Sequence, residues 1–166
     1  MTGKTDRSFD GIAAKFARNI YSSSKGQLRQ AVLLRDLAEL DILKQPCQLL
    51  DVGAGQGQLA LALAAQGHSV HLTDISAEML QLAQQQATAQ GLANVSFSQT
   101  SLAQLAAMPD RQYPLVLCHA MLEWLAEPEL ALSQLRQLVA PGGVLSLMFY
   151  NKDAKRFANM VFGNFD

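Results

Sequence analysis

Cysteine is nearly absent from this chain: Cys47 and Cys118 are the only two. Two thiols cannot build the framework of a disulfide-stapled secreted domain. Both fall in or beside apolar stretches, where thiols pack as small hydrophobes. Histidine is almost as scarce, and of His68, His71 and His119 only the first two are close in sequence, so no metal site is expected. No apolar run approaches the ~20 residues of a membrane-spanning helix. The first residues, with Lys4, Asp6 and Arg7, lack the apolar core of a secretion signal. The expected setting is the cytoplasm, with no membrane partner. Charged residues are few, at 16%, but 49% of the chain is hydrophobic, enough for one domain with a real core.

The charge that is present is segregated. Residues 1–35 carry seven basic side chains against two acidic ones, whereas residues 36–150 carry three basic against ten acidic. A basic arm on an acidic body suits an anionic partner near that arm. A solvated helix surface accounts for the same pattern.

Phe9, Ile12, Ala13, Phe16 and Ile20 recur at helical spacing and predict an amphipathic helix over 8–20. A second helix is expected from Gln27 to Leu43, with Leu28, Val32, Leu37, Leu40 and Leu43 facing inward. These residues form an expected N-terminal helical cap, 1–45. From 46 to 166 strand and helix alternate, the pattern of a parallel α/β sheet. Strands are expected at Cys47–Val52, Ser69–Thr73, Asn94–Ser98, Leu115–His119 and Val144–Tyr150. Helices are expected at Gln58–Gln66, after Ser76 and closed by Gly91, at Leu102–Ala107, from Pro128 to Val139, and at Ala154–Val161. The turn Pro141-Gly142-Gly143 leads into the last strand.

The strongest chemical signal is Leu49-Leu50-Asp51-Val52-Gly53-Ala54-Gly55-Gln56-Gly57-Gln58, a buried strand running into a glycine-rich turn that opens a helix. Glycines admit a ligand close to the backbone, and the helix start offers unpaired N–H groups. A dinucleotide loop reads G-x-G-x-x-G/A with a pyrophosphate over the helix. This one reads G-x-G-x-G, with the long Gln58 in place of the last small residue and the acidic Asp51 just before the turn. An acid there opposes a pyrophosphate and suits a cationic amino-acid group. S-adenosylmethionine, with an ammonium and a sulfonium and no phosphate, is therefore favoured over NAD. Asp74, closing the second strand, is placed to accept hydrogen bonds from ribose hydroxyls. Leu102 and Ala103, beyond the third strand, lie where backbone amides hold an adenine. His119 ends the fourth strand, on the ligand edge of the sheet, where it meets cofactor or substrate.

These motifs, with Thr-Asp-Ile-Ser (73–76), His-Ala-Met-Leu-Glu-Trp (119–124) and Pro-Gly-Gly (141–143), resemble the class I methyltransferases. Phe-Ala-Arg-Asn-Ile-Tyr (16–21), Lys-Gly-Gln-Leu-Arg-Gln (25–30), Leu-Ser-Leu-Met-Phe-Tyr-Asn (145–151) and Gly-Asn-Phe-Asp (163–166) are similar to the bacterial tRNA 5-carboxymethoxyuridine methyltransferase family. That resemblance implies a Rossmann-like sheet and S-adenosylmethionine as cofactor. It also implies methyl-ester formation on the carboxylate of 5-carboxymethoxyuridine at the wobble position of a tRNA anticodon arm. Arg29 matches the family's cofactor-binding arginine, and Gly53, Ala54, Asp74, Leu102, Ala103 and His119 match positions lining the cofactor; Asp51 and Gly55 complete the candidate set. No catalytic base is assigned, because a carboxylate nucleophile is already ionised. Members of the family continue further and carry more strands than fit here, so the last strands are expected to be missing. Methylation of a small-molecule acid, and a shortened cofactor-binding domain without turnover, remain the alternatives.

Overall fold

The computed structural model describes residues 10–11, 23–109 and 111–162, the side chains of Lys155 and Ala158 apart. The apolar stretches form strands β1 (Gln48–Val52), β2 (Ser69–Asp74), β3 (Val95–Gln99), β4 (Tyr113–His119) and β5 (Val139–Met148). They lie in the order β3-β2-β1-β4-β5, and every neighbouring pair is parallel. Parallel strands covered on both faces need continuous apolar runs. Leu49-Leu50 and Leu115-Val116-Leu117 supply them, each wholly enclosed.

The helices are α1 (Ser24–Ala38), α2 (Gln58–Ala65), α3 (Ala77–Ala89), α4 (Leu102–Ala106), α5 (Pro128–Gln137) and α6 (Lys152–Val161). Leu37, Leu63 and Leu80 of α1, α2 and α3 pack with Leu49, Leu72 and Leu117 on one face of the sheet. Leu105 and Leu135 of α4 and α5 pack with Leu50, Val116 and Cys118 on the other. The sheet therefore has the expected Rossmann-like α/β form with helices on both faces. Because β2 and β4 flank β1, the chain reverses its building direction there. Such a switch point opens a crevice at the carboxyl ends of the strands.

Two expectations change. The second helix starts earlier, at Ser24 with Ser23 as its cap, and ends at Ala38; Asp41–Leu43 form a separate 3-10 turn. Leu28 and Val32 do not face inward but are 66% and 37% exposed. The inward stripe is Gly26, Arg29, Gln30, Leu33 and Leu37, at helical spacing. Arg29 and Gln30 are polar because this side walls a hollow as well as the core, so counting apolar residues selects the wrong side. The fifth strand begins at Val139, and Tyr113 pairs with Val139 while Leu115 pairs with Val144, so the Pro-Gly-Gly turn is a bulge inside it. Gly142 has φ +74. The strand ends at Met148, leaving Phe149 and Tyr150 exposed beyond it.

Of the helix expected over 8–20 only Asp10 and Gly11 are described, and they form a turn. Lys15 and Arg18 lie outside the described residues, as do the motif ends at Tyr21 and Gly163–Asp166. The Asp10 carboxylate accepts from the Ser76 hydroxyl at 2.5 Å, and the Gly11 amide donates to Glu78 at 2.9 Å. The N-terminal turn is thus docked on the start of α3. Among the described residues no helix is long and apolar enough to cross a membrane, and none of their acidic, histidine or cysteine side chains gather into a metal-binding group.

Gly57 caps α2 with φ +68, and a Cβ there would lie 2.2 Å from Leu72 Cδ2. Leu72 is fully buried on β2 and has no room to yield. The left-handed backbone alone costs a non-glycine residue about 1–2 kcal/mol, and overpacking adds about 1–3 kcal/mol. Gly57→Ala is expected to lower the urea-unfolding free energy by roughly 2–5 kcal/mol. A loss below about 0.5 kcal/mol, within the range of a neutral surface change, contradicts this account.

Candidate functional site

Two hollows meet at the carboxyl ends of β1 and β4. The first is walled by Arg29 and Gln30 of α1, Asp51 of β1, Ala54, Gln58 and His119 of β4. The second lies between Asp74 of β2, the Thr100–Leu102 segment, and Met121, Trp124 and Leu125. Gly53 and Ala120 border both, so the hollows form one trench over the switch point.

The glycine turn shapes its floor. Gly53, Gly55 and Gly57 all take positive φ, at +67, +56 and +68. These alternating left-handed steps fold the turn back against β2, where the Ala54 amide donates to the Thr73 carbonyl at 3.0 Å. Above Gly53 lies the Met121 side chain: a Cβ at 53 would sit 2.5 Å from its sulfur. Glycine at 53 therefore makes room for the Met121 side chain. Gly55 borders neither hollow. Its amide donates to Asp74 Oδ2 at 2.8 Å, so it holds the site together from behind.

Asp74 is only 7% exposed. Its Oδ1 accepts from the Ser76 amide at 2.8 Å and its Oδ2 from the Gly55 amide. A carboxylate has about four acceptor sites, so capacity remains for a ligand. Burial raises its pKa, the amides of Ser76, Gly55 and Ile75 pull it down, and the Asp10 carboxylate raises it; burial prevails. Asp51 is equally enclosed, at 7%. Its carboxyl accepts no hydrogen bond and makes no ion pair among the described residues, although it borders the first hollow. Burial first, and the Asp74 charge second, push its pKa up to about 8. An apolar-walled carboxyl with no partner is a place for a cation.

Arg29, half-buried on α1, opens onto the same hollow and forms no ion pair among the described residues. Its planar fork is suited to a carboxylate. His119 Nε2 lies 2.9 Å from the Ser146 hydroxyl on β5, and burial lowers the imidazole pKa to about 4, so the ring is neutral. Leu102 borders the second hollow, but Ala103 is exposed and faces a separate groove between α4 and α5. The Ser101–Gln104 capping box takes the Gln104 amide. It leaves the first-turn amides of Leu102 and Ala103 without intrahelical partners.

Of the nine residues singled out in the sequence, Arg29, Asp51, Gly53, Ala54, Asp74, Leu102 and His119 border the trench. Gly55 supports it and Ala103 stands beside it. The candidate set from the sequence did not include Ile75, Met121 or Trp124, yet all three wall the second hollow. Met121 and Trp124 follow Ala120, whose φ is +54. Nothing in an alanine's identity announces a left-handed turn. His68 and His71 have neighbours other than metal: the Cys47 amide 3.4 Å from His68 Nδ1, and the Ser96 hydroxyl 2.7 Å from His71 Nδ1.

Residues 50–147 match the family model described as a methyltransferase domain. The tRNA 5-carboxymethoxyuridine methyltransferase of Escherichia coli (strain K12) is 46% identical over 164 residues, 97% of this chain and 63% of that protein. A ubiquinone biosynthesis O-methyltransferase of Klebsiella pneumoniae subsp. pneumoniae is 34% identical over 116 residues, 70% of this chain and 48% of that protein. The chain thus spans less than two thirds of the length of the curated relatives it matches. Among solved structures, the magnesium protoporphyrin IX methyltransferase from Synechocystis PCC 6803 shares the fold. Its TM-score is 0.71, over 95% of this chain and 76% of that one, at 23% identity.

The raised pKa of Asp51 has a consequence for stability. In the unfolded chain an aspartate ionises near 3.8, and in the fold Asp51 does so near 8. Between those values the folded state holds a proton that the unfolded state has lost. The stability from this group is full below the lower value and is lost as pH rises to the upper one, by up to about 1.4 kcal/mol per pH unit. Asp51→Asn is expected to remove that part of the slope in urea-unfolding free energies of the ligand-free protein. An identical slope in parent and variant means that Asp51 is ionised in the fold.

Proposed function

The chain belongs to the methyltransferase-domain family, and on that premise we propose that it uses S-adenosylmethionine to methylate the carboxylate of 5-carboxymethoxyuridine at the wobble position of tRNA. The observation that carries this reading is the order of groups along one trench. A guanidinium and an unpartnered carboxyl lie in the first hollow, and a carboxylate held by two amides lies in the second. That order suits a molecule with an amino-acid zwitterion at one end and a ribose at the other. Arg29 would hold the carboxylate of the amino acid and Asp51 its ammonium. Asp74 would accept from the ribose hydroxyls, and the apolar wall of Leu102, Met121 and Trp124 would enclose the adenine. A pyrophosphate laid over Gly53 would meet Asp51 instead, which disfavours a dinucleotide.

When bound, the cofactor supplies an electrophilic methyl group. The accepting carboxylate is ionised near pH 4 and above, so no residue has to remove a proton from it. The protein's task is to hold two reactants in line and to exclude water. The tRNA reading draws support from the Escherichia coli relative and from the basic residues of the N-terminal 35. Phosphate contacts from such a segment position an anticodon arm without reading its sequence. A tRNA substrate sets this work in the cytoplasm.

Incubating the protein with S-adenosylmethionine and tRNA that carries the free carboxymethoxy group is expected to yield the methyl ester on nucleoside analysis. Esterification of a free small acid with none on tRNA would overturn the substrate. Cofactor binding without turnover on either would reduce the chain to a binding domain. By calorimetry, Asp74→Ala is expected to weaken S-adenosylmethionine by roughly 1.5–3 kcal/mol, the range for hydrogen bonds to a charged group. Unchanged affinity in a folded variant removes Asp74 from the site.

A further inference from the structure

We infer that Ser146 is a positioning residue: its hydroxyl donates to His119 Nε2 and so fixes the imidazole tautomer that presents Nδ1–H to a carboxylate in the first hollow. The inference rests on the reading that this hollow receives an anionic group. His119 and Ser146 stand on neighbouring strands, on the face that carries Leu117 and Met148. The β4–β5 register pairs Leu117 with Ser146 and His119 with Met148, so the hydroxyl reaches the ring diagonally at 2.9 Å. The Ala120 amide donates to the Met148 carbonyl at 2.7 Å and continues the ladder past His119. The backbone thus holds both partners in place.

The direction of the bond follows from counting hydrogens. Buried as it is, the ring is neutral and carries one N–H. The Ser146 hydroxyl has no other partner among the described residues. If Nε2–H donated to the serine, the hydroxyl hydrogen would have no protein acceptor, and Nδ1 would turn a lone pair on any carboxylate in the hollow. If the serine donates, its hydrogen is used at Nε2 and the ring's own Nδ1–H is left for a carboxylate in the hollow, so that both hydrogens are used once such a group is there. His119 Nδ1 has no partner among the described residues, yet it is not among their enclosed, unsatisfied atoms, and the ring borders the hollow. Ser146 thereby sets whether a neutral histidine meets an anion as a donor or as an acceptor.

Long-range proton–nitrogen NMR distinguishes the two ring nitrogens, and S-adenosylhomocysteine serves as the probe for the hollow. The parent is expected to show a protonated Nδ1 and a bare Nε2. Ser146→Ala is expected to move the proton to Nε2 and to weaken S-adenosylhomocysteine about fivefold, the loss of one ordinary hydrogen bond. Ser146→Thr keeps the hydroxyl and should restore both, and in a His119→Ala background Ser146→Ala should have no further effect on affinity. A parent with the proton on Nε2, or a Ser146→Ala variant that leaves tautomer and affinity unchanged, overturns the inference. If the parent does not bind S-adenosylhomocysteine at all, the reading of the hollow fails with it, whereas the tautomer shift alone would still establish the serine's hold on the ring.

Discussion

The Asp74 carboxylate ties together three parts of the molecule around the site. Through Gly55 it holds the turn after β1, through Ser76 it holds the start of α3, and it is itself anchored at the end of β2. Ser76 extends the link, since its hydroxyl accepts from the Met79 amide at 3.2 Å as the helix cap and donates to Asp10. A buried carboxylate with two amide donors is a strong, directional tie. The residue also borders the second hollow. The same side chain that fixes the loop therefore builds the ligand-facing surface, and loop geometry and ligand recognition cannot be altered separately at this position.

Most of the fold was legible because its signals are local and repeated. Strands buried on both faces need runs such as Leu115-Val116-Leu117, and the capping residue Ser76, the Pro128 helix start and Gly91 mark helix ends by their own chemistry. The part of the site carried by β1 and β2 was legible for the same reason: a glycine turn after one strand and an acid at the end of the next have fixed relative positions in a parallel sheet. The failures share a cause. Leu28 and Val32 were assigned inward because they are apolar, but the wall of a hollow is allowed to be polar, and Arg29 and Gln30 occupy it. Met121 and Trp124 reach the second hollow through a left-handed alanine, and Ser146 meets His119 through the register of β5. Those are relations between distant segments, invisible to any window of sequence.

The conflicts in this structure are not spread evenly. Among the described residues the one positive φ outside glycine is that of Ala120, at the carboxyl end of β4. Asp51 is buried beside Asp74 with no hydrogen bond to its carboxyl among the described residues, and the Glu123 oxygens, three residues past Ala120, are enclosed without a partner among them. At the other end of the sheet His71 Nε2 is enclosed without a partner among the described residues, but every positive φ falls on a glycine. Asn94 donates there to the carbonyls of Ala64 and His68 at 2.7 and 2.6 Å. A chain selected only for stability would not place a left-handed alanine and uncompensated acids in one crevice, since each costs on the order of 1–3 kcal/mol. Such a concentration is the physical mark of a site shaped around something else. Its sign is informative too. Burial pushes the Asp51 carboxyl up to about 8, so it favours its neutral form until positive charge arrives, and Arg29 borders the same hollow without joining it as an ion pair. A zwitterion relieves both at once, with its ammonium toward Asp51 and its carboxylate toward Arg29. The strain in the trench is thus complementary to a ligand that carries both charges, and it opposes one that carries only negative charge.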